Sequence, residues 1–233
     1  MPGDHSSTAD VWHCNCLSVF HTAPHQAFTF DKHATPNYTS AVTKAFQRGE
    51  FVDDDLIPKA LTIKDSQYDA TDFEDFFRYT FCCVSEPFRD FLLGFDIGGT
   101  RFVPIDIYQS DGVTKRAETY FILNIVSQKE CLVPEETHTS FAIKIKDGLW
   151  RATHRREDFQ LTVRSSSREG ADLWIDPRLR GDLFFSDRLH AALKATDLRP
   201  YNTPDRVASL AAGGLKPHFE VARCKIIEQE AGR

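Results

Sequence analysis

Leu183-Phe184-Phe185-Ser186-Asp187-Arg188-Leu189-His190-Ala191-Ala192-Leu193-Lys194-Ala195 decides how the chain is read. Three apolar residues run into a serine, and Leu189 and Leu193 then recur four apart, the spacing of one helix face. The Ser186 hydroxyl can accept from an amide that the first helical turn leaves without a partner. Asp187 puts a carboxylate at the positive end of the helix dipole. The stretch predicts a buried strand that stops at a serine and turns at once into a helix.

The same design occurs earlier, in Phe81-Cys82-Cys83-Val84-Ser85-Glu86-Pro87-Phe88-Arg89-Asp90-Phe91-Leu92-Leu93. Pro87 suits the first helical turn, where no amide donor is needed. Aligning Ser85 with Ser186 aligns Phe88 with Leu189 and Leu92 with Leu193. A duplicated strand-serine-helix unit is therefore expected, since repeats show first as matched spacing.

Working outward, Arg101 to Tyr108 alternates apolar and polar residues, Asp111-Gly112 marks a turn, and Thr119 to Val126 reads as the next strand. An antiparallel hairpin is expected there. Ser140 to Lys146 and Phe159 to Val163 alternate in the same way. Towards the N-terminus, Val11 to Phe20 reads as a strand and Ala23 to Asn37 as a loop between Pro24 and Pro36. Ser40 opens a short helix that Gly49 closes, and Phe51 to Asp75 reads as acidic and loop-rich. Val207 to Ala212 suggests a helix, and His218 to Ile227 a closing strand or helix. Strands dominate, so the fold class is α+β with a mainly antiparallel sheet and short helices. The expected organisation is a disordered 1–10, an N-terminal region over 11–75 packed on a main domain over 76–206, and a C-terminal segment over 207–233.

The 233 residues, 41% hydrophobic and with 19 Phe, suffice for an extensive core. No apolar run is long enough to span a membrane. Met1 to Asp10 lacks the basic start and apolar centre of a signal peptide, and the six cysteines do not form a dense framework. Reduced thiols and a cytoplasmic location are the expectation. Net charge is −6, concentrated between Glu50 and Asp96, where 12 acids face 4 bases. That balance argues against nucleic acid as the main partner and favours a basic protein.

Four clusters could carry chemistry. Phe95-Asp96-Ile97-Gly98-Gly99-Thr100 resembles the first phosphate hairpin of the sugar-kinase and actin-like ATPases. Such a motif should open its domain, however, and a second phosphate loop should follow; the bland alternative is a helix stop and a turn. His13, Cys14 and Cys16, with His21, His25 and His33, offer zinc-type ligands, but the Cys-x-Cys spacing is short and no second knuckle follows. Ser186 and His190 stand one helical turn apart without an orienting acid, and capping accounts for the serine. In Asp69 to Tyr79 carboxylates interleave with aromatics, which suits a solvated edge over a core stripe, acid-base chemistry, or a surface for a basic partner.

The order of several pieces resembles a known family. Val84-Ser85-Glu86, Phe102-Val103-Pro104-Ile105, Tyr120-Phe121-Ile122-Leu123-Asn124, Leu173-Trp174-Ile175-Asp176-Pro177 and Phe184-Phe185-Ser186-Asp187-Arg188-Leu189 are similar to the eleventh immunity-protein family of bacterial polymorphic toxin systems. The likeness covers roughly residues 75–205. It implies a non-enzymatic cytoplasmic antidote, without cofactor or metal, that binds a cognate toxin. A nuclease with a basic cleft is the kind of toxin an acidic surface would plug. Its motifs look structural, so they assign no binding residue. The acidic segment itself nominates Asp53, Asp54, Asp55, Tyr68, Asp69, Asp72, Phe73, Glu74 and Asp75 as toxin contacts. The rival class is a nucleotide-binding phosphotransferase built on Asp96, Gly98, Gly99 and Thr100.

Overall fold

Each of the two serines ends a strand and opens a helix, as the sequence predicts. The computed structural model describes residues 9–14, 28–30, 40–70, 73–78, 81–139, 141–145, 148–152, 160–179, 181–198 and 221–228. With strands numbered in chain order, a six-stranded sheet runs β2 (Phe28–Phe30), β3 (Ala60–Ile63), β6 (Arg101–Tyr108), β7 (Tyr120–Asn124), β5 (Cys82–Ser85), β4 (Phe76–Arg78). A four-stranded sheet runs β11 (Leu173–Trp174), β12 (Leu183–Ser186), β1 (Val11–Cys14), β13 (Val221–Arg223). Among the described residues two strand pairs complete the β structure, β8 (Ala142–Lys144) with β9 (Trp150–Ala152) and β10 (Thr162–Arg164) with β14 (Lys225–Ile227). The helices are α1 (Ser40–Gln47), α2 (Glu86–Leu92) and α3 (Asp187–Lys194). Pairing is antiparallel except at β3–β6 and β10–β14. The fold is α+β, and the expected β6–β7 hairpin is present.

The duplication extends beyond the serine units to whole half-sheets. The order β4-β5-β7-β6 corresponds to β11-β12-β1-β13, and the registers agree. Val84 lies between Phe76 and Phe121, as Phe185 lies between Leu173 and Trp12. Ser85 Oγ donates to Asp75 Oδ1 at 2.6 Å, and Ser186 Oγ donates to Asp172 Oδ1 at 2.6 Å. The same hydroxyls accept from the amides of Phe88 and Leu189, three residues on. The backbone amides of Ser85 and Ser186 also bond the carbonyls of Asp75 and Asp172. Even the stacking corresponds: Arg89 lies 4.4 Å over the Phe121 ring, and His190 stacks 3.8 Å from Trp12. One connection differs. The place β7 holds in the first unit is filled in the second by β1, from the opposite end of the chain.

Strand alternation sorts the side chains into three cores. Val84, Phe121 and Leu123 point to the same core as Leu173, Leu183 and Phe185, so the two units meet face to face, with Phe88, Leu92, Leu189 and Leu193 of the helices between them. The opposite face of the six-stranded sheet carries Cys83, Ile105 and Ile122, covered by Val42 and Phe46 of α1 and by Val52 and Ile57. The opposite face of the smaller sheet carries Val11, Trp174 and Phe184, covered by Leu132, Leu161 and Val163.

Two expectations need correction. Phe28–Phe30, inside the stretch read as a loop, pairs with β3, and Ala60–Ile63, inside the acidic stretch, is itself a strand. Both are too short for periodicity to register, and β3 lies nearly buried on both faces, so no alternation marks it. The helix expected over 207–212 lies outside the described residues.

The matched serines make a stability prediction. Ser85→Ala and Ser186→Ala should each cost about 1–2 kcal/mol, the usual loss of a helix cap. Urea titration should show two similar falls in midpoint with unchanged slope. A cost at one position and none at the other would contradict the equivalence of the units.

Candidate functional site

Among the nine nominated contacts, the three consecutive aspartates are the most open. Asp53, Asp54 and Asp55 are exposed on a short turn (Asp54–Leu56) pinned at both ends by buried Val52 and Ile57. Arg101, at the start of β6, holds the turn: its guanidinium is 2.5 Å from Asp54 Oδ1 and 4.8 Å over the Phe51 ring. Below, the fully buried Asn124 side-chain amide reaches the Val52 carbonyl at 3.4 Å. Phe51 itself is 60% exposed. A large apolar ring thus stands beside carboxylates on a turn held at both ends.

The rest of the nominated run turns inward. Asp69 accepts from the Ser110 amide at 2.8 Å and hydroxyl at 2.7 Å, and its carbonyl accepts from Arg116. Phe73 is buried beneath the Arg116 guanidinium, with its carbonyl taking the Tyr120 hydroxyl. Glu74 is buried, and Asp75 is the clamp of Ser85. These side chains are engaged within the fold. The Tyr68 side chain and Asp72 lie outside the described residues.

The glycine motif has a structural occupation as well. Asp96 Oδ1 accepts from the Gly98 amide at 3.0 Å, and the Thr100 amide and hydroxyl both go to the Ile97 carbonyl. Gly98 has φ +58°, and a Cβ on Gly99 would come within 2.9 Å of Val126 Cγ2, so close packing against 126–127 accounts for both glycines. The Asp96 amide donates to Asp172 Oδ2 at 2.9 Å, and the Asp96 carbonyl takes the Asp172 amide. The motif therefore ties the first unit to the clamp of the second.

Asp172 also pairs with Arg188, whose guanidinium lies 5.3 Å over Phe95. Behind it, Lys129 donates to the Ala171 and Ser167 carbonyls and sits 3.6 Å from the Trp174 ring centre. Burial pushes that amine down to about 8. Burial alone would raise the Asp172 carboxyl; the bonds from Arg188, Ser186 and the Asp96 amide outweigh it and hold the group below its ordinary value.

The other two candidate clusters separate. Ser186 faces Asp172, whereas His190 stacks on Trp12. His13 pairs with buried Asp182 at 3.1 Å, whereas Cys14 points to the opposite face of β1, into the inter-sheet core. Cys16, His21, His25 and His33 lie outside the described residues.

Residues 33–205 match a family described as Immunity protein family (Imm11). The chain belongs to that family. Among curated proteins none matches it. The Imm11 match begins well before the motifs that suggest it from sequence, and it takes in the aspartate turn as well as both serine units. It leaves out β1 and β13, which complete the second sheet from either end of the chain. An immunity role follows from membership. No helix among the described residues is long and apolar enough to cross a membrane.

Sequence reasoning missed the exposed partners of this surface, Phe51 and Arg101, because the salt bridge joins residues 47 apart. It also missed Leu93, 60% exposed at the end of α2.

The Asp172 clamp has an acid limb that can be measured. A carboxyl held low in the folded state contributes stability above its unfolded value, about 3.9, and loses it as pH falls through the lowered folded value. Asp172→Asn should flatten the fall in urea midpoint below about pH 4 and cost on the order of 2–3 kcal/mol at neutral pH. An unchanged acid limb would show that another carboxyl governs it.

Proposed function

We propose that this chain is the antidote of a toxin-immunity pair: it binds its cognate toxin in the cytoplasm and covers the toxin's active site with an acidic surface, without turning over any substrate. Family membership carries the reading, since immunity proteins are defined by the toxin they restrain. The charge distribution supports the mode of binding, because the excess of acids lies between Glu50 and Asp96 and the three consecutive aspartates point outward.

The contact surface in this reading centres on Asp53, Asp54 and Asp55 around Phe51, with Asp69 and Tyr68 further along the same acidic segment. Arg101 neutralises Asp54 in part, so Asp53 and Asp55 supply most of the field a basic cleft would feel. Opposite fields raise the association rate, and a buried aromatic slows release. Phe73, Glu74 and Asp75 enter as the supports that hold the segment in place. A toxin with a basic cleft, such as a nuclease, fits this surface. A phosphotransferase reading has less support, because the Asp96 turn spends its carboxylate and amides on its own backbone and on Asp172.

Co-expression with the cognate toxin tests the reading. The wild-type chain should restore growth, and the Asp53→Lys, Asp54→Lys, Asp55→Lys triple variant should lose most protection, with association slowed about tenfold or more at low salt. Equal protection by the triple variant would remove these aspartates from the interface. Failure of the wild-type chain to protect would remove the antidote reading itself. As a separate check, ATP with magnesium should leave Tm unchanged, and a rise abolished by Asp96→Ala would favour the phosphotransferase.

A further inference from the structure

The duplication supplies an internal control: one backbone occurs twice, so a residue the backbone does not need can be recognised by its absence from the other copy. The control is close. Residues 91 to 96 and 192 to 197 agree in burial position by position, as half-buried, buried, exposed, exposed, half-buried and exposed. Their closing bonds agree too, Gly94 to Phe91 and Phe95 to Leu92 in the first unit, Ala195 to Ala192 and Thr196 to Leu193 in the second.

On this shared frame the buried position is Leu92 in one copy and Leu193 in the other, as packing requires. The outward positions differ in kind. The second unit carries Ala192, Lys194 and Thr196; the first carries Phe91, Leu93 and Phe95. The helix end of the second unit closes without apolar groups there, whereas the half-buried Phe91 and Phe95 rings of the first also pack by their inner edges against the seam between the units. Yet Leu93 stands 60% exposed, and the Phe91 and Phe95 rings pack 5.1 Å apart beside it as a ridge. Leu93, with the outer edges of the two rings, makes an apolar ridge that the matching helix end lacks and that water disfavours, which marks a surface that something covers.

The rim says what kind of partner fits. Glu86 and Asp90 are more than half exposed at the side chain, and Asp96 is exposed just beyond the ridge. Arg89 is shared between Glu86 and Asp90, and Arg188 is taken by Asp172. The rim is thus net acidic around an apolar centre, the arrangement of anchors inside a charged ring.

We infer that the Phe91-Leu93-Phe95 ridge is a docking site for the toxin, inserting into an apolar pocket rimmed by lysine or arginine. This rests on the antidote reading and adds to it a hydrophobic anchor on the first unit. Along the chain, Asp96 is followed five residues later by Arg101, which holds Asp54 and Phe51. The second unit, with Lys194 at the matching place, does not take part.

The test is titration calorimetry of the purified chain against the cognate toxin, inactivated by mutation. Leu93→Asp should weaken Kd about fiftyfold or more, and Lys194→Asp, its matched control, should change it less than about threefold. Phe95→Thr, which installs the second unit's own residue, should weaken it about tenfold. Tm should hold for both exposed-site variants. If the wild type binds and Leu93→Asp binds equally, the ridge is not the site, although the antidote reading stands. If the wild type does not bind, the antidote reading fails and the ridge with it. If Leu93→Asp instead turns a dimer of the free chain into monomers in sedimentation and leaves toxin affinity unchanged, the ridge joins two copies, and the inference is overturned.

Discussion

A carboxylate that receives a serine hydroxyl is the interaction on which this architecture depends. In both units the serine closes a strand, accepts from the third amide of the following helix and donates to an aspartate on the neighbouring strand. One side chain thus fixes where the strand stops, where the helix starts and how far the edge strand is offset. A hydroxyl without its acid would still cap, but the edge strand would lose the bond that sets its register. Asp172 carries more than Asp75, because Arg188 and the Asp96 backbone converge on it from both units.

The seam between the units explains why the clamps must be stiff. Phe76, Phe88, Leu92 and Leu123 meet Leu173, Leu183, Phe185 and Leu193 there, four side chains from each unit. Fully burying side chains of this size contributes about 1.5–3 kcal/mol each, far more together than any cap. That attraction resists a one-residue slip, which would turn core side chains to the other face, but being non-directional it does not fix where each strand stops. The serine clamps supply the direction. The second sheet also draws β1 from near the N-terminus and β13 from near the C-terminus, with the Cys224 amide bonding the Val11 carbonyl and Arg223 pairing with Asp10. The second unit therefore closes by contacts between residues more than two hundred apart, whereas the first closes locally.

Much of this was legible in the chain. Ser85 and Ser186, with apolar residues four apart behind them, announce both units because capping and helix periodicity act over a few residues. The Arg101–Tyr108 hairpin shows for the same reason, since alternation is local. What stayed hidden depends on distant pairing. Asp75 and Asp172 lie 10 and 14 residues before their serines, and no local pattern marks a carboxylate as a clamp. The interleaved acids after Asp69 look like a surface in one dimension, yet Ser110, Arg116 and Ser85 draw three of those residues inward. Phe51 and Leu93 look like core residues in the sequence, and only three dimensions show them outside. The alignment of the two units did hold a clue: Leu93 stands against Lys194, an exposed apolar residue where the other copy is charged.

On the proposed reading, a duplicated scaffold whose first copy carries apolar and acidic residues at the helix end, where the second is polar, separates stability from recognition: the second unit braces the first, and the first meets the partner. Hydrogen exchange of the chain, free and bound to its cognate toxin, tests this division most directly. The account predicts slowed exchange over 50–56 and 89–97 on binding, with little change over 188–198. Protection confined to 188–198, or spread equally over both helix ends, would contradict it.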